Sequence, residues 1–260
     1  MNSFFSPTRT TLLVLSITLV GLLIRLPGLD ARPFHGDEGN QAYKTRTLLN
    51  TGEYVYDPHD HHGPTLYYLT LIPAWISGQT TFEATQDWTY RIVPVVFGAG
   101  LILLTLLLRP GMTPGMLAIS GILVCLSPAF VFYSRYYIQE MLLVFFTLAA
   151  IGFGYRYFLK PSLGLALATG ASLSLMHATK ETAIIAYGAM MVGGLVVGYA
   201  YRDSETWQDE RACMKRNHLV GAIVIALLLN IVLFTAFFTH ARGPLDSILT
   251  YGNYLKRAEG

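Results

Sequence analysis

Along most of this chain, apolar residues gather into long unbroken runs instead of alternating or recurring on one helical stripe. The runs fall near 11–29, 91–108, 112–132, 138–158, 162–178, 183–201 and 219–239, each about 17–25 residues long with almost no charge inside. That is the length a helix needs to cross the hydrocarbon core of a bilayer, and the pattern predicts an all-α, polytopic bundle of about seven spans forming one domain over 1–260. A further apolar segment, Thr65–Gly78, is too short to cross comfortably, and Pro73 is expected to break it. Its Tyr67, Tyr68 and Trp75 suit the headgroup belt.

Composition sharpens this reading. Hydrophobic residues make up 53% of the chain and charged residues 13%, with a mean hydropathy of +0.44. A soluble domain carries about 25% charged residues, so a membrane solvent accounts for the deficit. The net charge of +2 and the lack of a basic run give no footprint for nucleic acid. Cys125 lies in an apolar run and Cys213 in a charged loop, without C-x-x-C or metal-ligand spacing. Arg25-Leu26-Pro27 stands where a signal peptide would carry its small-residue cleavage site, so the first run reads as an uncleaved helix.

Charge orients the bundle. With the N-terminus cytoplasmic and 65–78 not spanning, Arg9, Arg109, Arg156, Lys160, Arg202, Arg211, Lys215 and Arg216 fall on the cytoplasmic side. The short opposite loops then hold only Arg135 and Lys180. This is the positive-inside distribution. It predicts a multi-pass protein of the cytoplasmic (inner) membrane with residues 30–90 outside, as a long loop of the kind that carries function. Within that loop, Gly39–Asn50 has helical spacing and ends at Asn50-Thr51-Gly52, predicting a short amphipathic surface helix.

Four clusters carry candidate chemistry. His35-Gly36-Asp37-Glu38 sets two carboxylates beside the bilayer surface, suited to a general base or a divalent cation; taken alone, the first turn of a helix is the plainer reading. Asp57-Pro58-His59-Asp60-His61-His62 is dense in metal-ligand types, and a divalent ion held by Asp37, His61 and His62 is a candidate cofactor; a polar loop is the plainer reading. Tyr133–Glu140 brings Arg135 and Glu140 to one turn, either as functional groups or as an ion pair pinning the hairpin. His177–Thr182 puts Lys180 and Glu181 at the next turn, where a lysine suits a phosphate or snorkels from a helix end. The predicted topology brings all four to one face, and acids beside cations suit activation of an acceptor and stabilisation of a departing phosphate.

The chain resembles the GT-C glycosyltransferase superfamily, in the group of protein O-mannosyltransferases and aminoarabinose transferases. The resemblance rests on Asp37-Glu38 after the first span, His61-His62-Gly63-Pro64-Thr65-Leu66 and Tyr90-Arg91-Ile92-Val93-Pro94. Ser134-Arg135 through Glu140 and Thr179-Lys180-Glu181 are most similar to a flippase-associated subgroup. It implies transfer of a sugar from a polyprenyl-phosphate donor to a lipid, glycan or protein acceptor on the extracytoplasmic face. Asp37 would be the base or sit beside a metal, with Glu38 supporting it. By charge, Arg135 and Lys180 would face the donor phosphate, with His35, His61, His62, Glu140 and Glu181 in support. Thr65 stands where the superfamily segment has a second proline. Members usually continue through further spans, so the resemblance implies a short or split member; a non-catalytic lipid-carrier binder associated with a flippase is the alternative.

Overall fold

The structure, a computed structural model, describes residues 6–59, 62–205 and 215–259, and among these every regular element is helical. The helices are α1 (Pro7–Arg25), α2 (Gly36–Lys44), α3 (Arg46–Thr51), α4 (Thr65–Ile76), α5 (Asp87–Leu104), α6 (Pro114–Leu126), α7 (Pro128–Ser134), α8 (Glu140–Leu159), α9 (Leu163–His177), α10 (Ala183–Ala200), α11 (Arg216–Phe234) and α12 (Gly243–Glu259). Five are long and apolar enough to cross a membrane: Pro7–Arg25, Asp87–Gly111 (α5 and its 3-10 extension), Glu140–Leu159, Ala183–Ala200 and Arg216–Phe234. The run near 112–132 is the pair α6 and α7, bent by 57°, and would make a sixth span. The expected span at 162–178 is the 15-residue α9, a shorter apolar helix. The expected span 219–239 ends early at Phe234, where Ala236, Phe237 and Phe238 take left-handed backbone angles.

The chain divides into two compact units: Met1–Val55 with Pro64–Phe145, and Tyr56–Gly63 with Phe146–Gly260. In the first, α1 packs on α5 and α6 around Val14, Ile17, Ile102 and Cys125. The approach is close because the facing positions are small. A Cβ on Gly21 would lie 2.5 Å from the Ile102 side chain, and one on Gly98 would run into Ser134. Pro73 does not break α4; the helix runs through it to Ile76, since proline removes a single hydrogen bond and neighbouring contacts hold the rest.

The bend between α6 and α7 has an identifiable cause and an identifiable remedy. Pro128 has no N–H to donate to Val124 four residues earlier. The fully buried Arg25, in the last turn of α1, fills that place: Nη2 donates to the Val124 carbonyl at 2.9 Å and Nη1 to that of Cys125 at 3.1 Å. Nε donates to Ser134 Oγ at 3.1 Å, at the end of α7. One guanidinium therefore bonds residues on both sides of the break.

In the second unit α9 lies flat against α11. A Cβ on Gly170 would fall 2.2 Å from the Ala222 carbonyl, and Ser174 Oγ donates to the Ala226 carbonyl at 2.8 Å. Along α10, Ile185, Met191 and Leu195 are exposed, a surface suited to lipid and not to water. The amphipathic C-terminal α12 was not expected from hydropathy.

The Arg25 account predicts that Arg25→Met destabilises the protein by about 3 kcal/mol, having left buried carbonyls without donors. Pro128→Ala, which restores the missing N–H, should recover at least about 1 kcal/mol of that loss. Unfolding midpoints of both single variants and the double variant measure this; strictly additive effects would show that Arg25 does not serve the break.

Candidate active site

The predicted surface helix begins three residues earlier than its spacing suggested and is two helices, α2 and α3, divided at Thr45. The early start comes from a capping box. His35, in extended conformation (φ −68°, ψ 161°), caps α2 through Nδ1, which accepts from the Asp37 amide at 3.4 Å, while Glu38 accepts from the His35 amide at 3.2 Å. Asp37 and Glu38 thus both lie in the first turn, where carboxylates complement the helix dipole. Their surroundings differ sharply: the Asp37 side chain is 74% exposed, whereas that of Glu38 is fully buried.

Glu38 is held by Arg91, from the second turn of α5. Arg91 Nε donates to Oε1 at 2.8 Å and Nη2 to Oε2 at 3.0 Å. The Tyr137 amide adds a third donor at 3.0 Å, and Arg32 Nη2 lies 3.6 Å away. Arg91 also donates to the carbonyls of Leu29, Arg32 (2.9 Å) and Pro33 (3.2 Å), and its guanidinium sits over the Phe34 ring at 4.8 Å. The segment joining α1 to α2 is therefore wrapped around one side chain. Burial is the largest single influence on the Glu38 carboxyl and acts to raise its pKa. The hydrogen bonds from Arg91, Tyr137 and His35, with the Arg91 charge, together outweigh it and hold the group below its ordinary 4.5.

Behind this pair the inner face of α2 is polar and satisfied. Gln41 accepts from Tyr67 Oη and from Gln139 Nε2 at 2.9 Å, and Tyr137 and Thr70 share a 2.7 Å hydrogen bond. On the outer face, His35 Nδ1 lies 3.8 Å from Asp37 Oδ2 and pairs with Tyr136 Oη. Arg135 is not pinned within its own hairpin: Nη2 donates to the carbonyls of Pro27 and Gly28 past the end of α1. Gly28 takes a left-handed angle (φ +66°) there, where glycine costs least. Glu140 opens α8 and is half-buried.

The second unit holds the other predicted groups. His62 Nδ1 lies 2.9 Å from both oxygens of the nearly buried Glu181. Gly63 is required beside it, since a Cβ would fall 2.1 Å from the Ala178 carbonyl. Thr250 of α12 bonds Tyr56 Oη at 2.9 Å and donates to the Pro58 carbonyl at 2.9 Å; His177 pairs with Tyr251 Oη at 2.8 Å. Lys180 is half-buried in the turn between α9 and α10. Asp60, His61 and Cys213 lie outside the described residues. Among the described residues no three His, Cys, Asp or Glu side chains come together as a metal-ligand group.

Sequence reasoning named Asp37 and Glu38 but gave no role to Arg91 or Arg32. A signal for Arg91 was present: an ionisable residue at the start of an apolar run needs a partner, and Glu38 is that partner.

Because the folded-state pKa of Glu38 is lowered, its stabilising contribution is complete above the ordinary carboxylate range and lost as pH falls through the lowered value. Glu38→Gln should lower stability at neutral pH by about 3 kcal/mol, leaving the buried Arg91 with only the part-exposed Asp87, 3.7 Å from its Nη1, as counter-charge, and should flatten the acid limb of the profile. Unfolding midpoints of both proteins from pH 7 downward measure this; identical profiles would contradict the assignment.

Two comparisons bear on kinship. The family profile described as dolichyl-phosphate-mannose-protein mannosyltransferase matches residues 15–243. Among solved structures, the S. cerevisiae protein O-mannosyltransferase Pmt1-Pmt2 complex bound to the sugar donor is similar over 96% of this chain, with a TM-score of 0.63 and 19% identity. The chain spans 35% of the length of that relative. A search of curated proteins returned no match. With the profile matching most of its length, the chain belongs to the dolichyl-phosphate-mannose-protein mannosyltransferase family, within the GT-C fold.

Proposed function

We propose that the chain is a membrane glycosyltransferase that moves a sugar from a polyprenyl-phosphate donor to an acceptor hydroxyl, with Asp37 as general base. The family name points to a mannosyl group, and the solved relative's name to a protein acceptor; lipid and glycan acceptors are the other candidates. The observation that carries the reading is the division of labour in the first turn of α2. Glu38 is buried and fully engaged, while the next carboxylate, Asp37, is exposed at a fixed position.

The reaction needs few protein groups. The acceptor oxygen attacks the anomeric carbon, its proton passes to the Asp37 carboxylate, and the bond from anomeric carbon to phosphate oxygen breaks to release polyprenyl phosphate. A general base at that position contributes about 10²–10⁴-fold. Glu38 is then a positioning residue, acting through the helix turn it holds. Arg135 of the first unit and Lys180 of the second are each proposed as a cation for the donor phosphate; His35 and Glu140 are proposed as orienting groups within the first unit, and His62 and Glu181 within the second. The charge distribution supports a cytoplasmic-membrane protein with its N-terminus inside and this chemistry outside.

Asp37→Asn should reduce sugar transfer from a labelled polyprenyl-phosphate sugar by about 100-fold or more, with membrane insertion unchanged. Undiminished transfer by this variant would overturn the role of Asp37. Absence of transfer by the wild type, with the lipid still bound, would favour a non-catalytic carrier-binding protein.

A further inference from the structure

At one end of the second unit, α8, α9 and α11 enclose a groove of about 410 Å³. Small residues open it: Gly154 on α8, Ala166 on α9 and Ala222 on α11 all line it. Lys215 and Arg216, at the start of α11, complete the lining, so two cations stand against apolar walls. The other end of α11 is Phe234, whose ring meets those of Tyr56 and His177. A 19-residue helix, about 28 Å long, separates the groove from those residues and from the turn that follows His177.

The rim of the groove is ordered. The Lys215 amide donates to Tyr157 Oη at 3.4 Å, which ties the start of α11 to α8 at the groove wall. No carboxylate lines the groove. Asp203, past the end of α10, lies 3.3 Å from Arg202, and Asp209 and Glu210 lie outside the described residues. Among the described residues, neither Lys215 nor Arg216 has an acidic partner within ion-pair distance.

A buried polar atom beside Tyr157 is a second, independent observation. His218 is only 8% exposed, and its ring stands edge-on to that of Tyr157 with centroids 5.8 Å apart. Its Nδ1 is buried and has no hydrogen-bond partner among the described residues. Buried polar atoms are rarely left so, because the desolvation cost is then unmet. A polar group entering beside Tyr157 would meet it.

We propose that this groove is a site for an anionic glycerophospholipid, with its phosphodiester between Lys215 and Arg216 and an acyl chain along Ala166, Leu219 and Ala222. A basic pocket between membrane helices suits an anionic head group. Lys215 meets it as a point charge and Arg216 as a planar donor. A zwitterionic lipid carries the same phosphodiester but also a cation of its own, which the two side chains repel. Leu219 is 62% exposed, so the apolar wall continues onto the lipid-facing side of α11. The head-group class follows from the groove itself, while its leaflet, the cytoplasmic one, rests on the orientation proposed from charge. The lipid bridges the ends of three helices and is a ligand distinct from the sugar donor.

Native mass spectrometry of the purified full chain in detergent tests this, with phosphatidylglycerol, phosphatidylcholine of the same acyl chains, or inorganic phosphate as probe. Phosphatidylglycerol should bind in preference to the other two. Lys215→Gln combined with Arg216→Gln should weaken it about tenfold or more. Lys44→Gln combined with Arg46→Gln, an equal change in net charge elsewhere, should not. A Cβ on Gly154 would meet only Thr169 Cγ2, at an ordinary 3.7 Å. Gly154→Leu therefore occupies the groove without altering charge, and it should lower binding as well. Equal binding of phosphatidylcholine, equal binding of inorganic phosphate, an equal loss in the Lys44 and Arg46 pair, or unaltered binding in either groove variant would each overturn the proposal. The readout needs no sugar or acceptor, so it stands or falls separately from the role of Asp37.

Discussion

The first unit depends on a buried ion pair. Taking a carboxylate and a guanidinium out of water costs several kcal/mol for each ion, and their attraction repays it only when the remaining hydrogen-bonding capacity is filled. For Glu38 and Arg91 it is filled. Two contacts join the pair, the Tyr137 and His35 amides complete the carboxylate, and three carbonyls of the 29–33 segment complete the guanidinium. The pair thereby fixes an irregular segment that has no ladder of its own, where orphan backbone groups are costly. The position of Asp37 follows from this: it is the neighbour of a residue that cannot move.

Arg25 repeats the principle at a different place. A proline-broken helix leaves carbonyls without donors, which bilayer surroundings cannot supply. A long cationic side chain from α1 provides them. Its third bond, to Ser134, links the break to the residues that follow. Those are Arg135, Tyr136 and Tyr137, which meet the end of α1, His35 and Glu38 respectively. Two buried arginines thus connect the membrane helices to the surface turn in which the proposed chemistry sits.

Hydropathy placed the long apolar helices because membrane burial imposes a length and an apolarity that local sequence must satisfy. It was less exact about two of the runs. α9 is apolar over a shorter stretch, and the 112–132 run conceals the break at Ser127-Pro128. The surface helix was legible in type but not in boundary, since its start depends on the cap between His35 and Glu38 rather than on apolar spacing. Within the site, the pair Asp37-Glu38 was visible as chemistry, but the opposite fates of its members were not. Which carboxylate is buried depends on Arg91, 53 positions after Glu38, and on Tyr137, 99 positions after it. No local pattern encodes those contacts. His62 and Glu181, 119 positions apart, pair for reasons equally invisible in either motif.

The central claim is that Glu38 and Arg91 act as one structural unit that presents Asp37. A double-mutant cycle on unfolding free energy, with Glu38→Gln, Arg91→Met and the two combined, tests it most directly. The account predicts a coupling of at least about 2 kcal/mol, with the double variant more stable than the Arg91-retaining single variant, because removing both charges leaves neither one buried alone. Additive losses, with no coupling between the two positions, would contradict it.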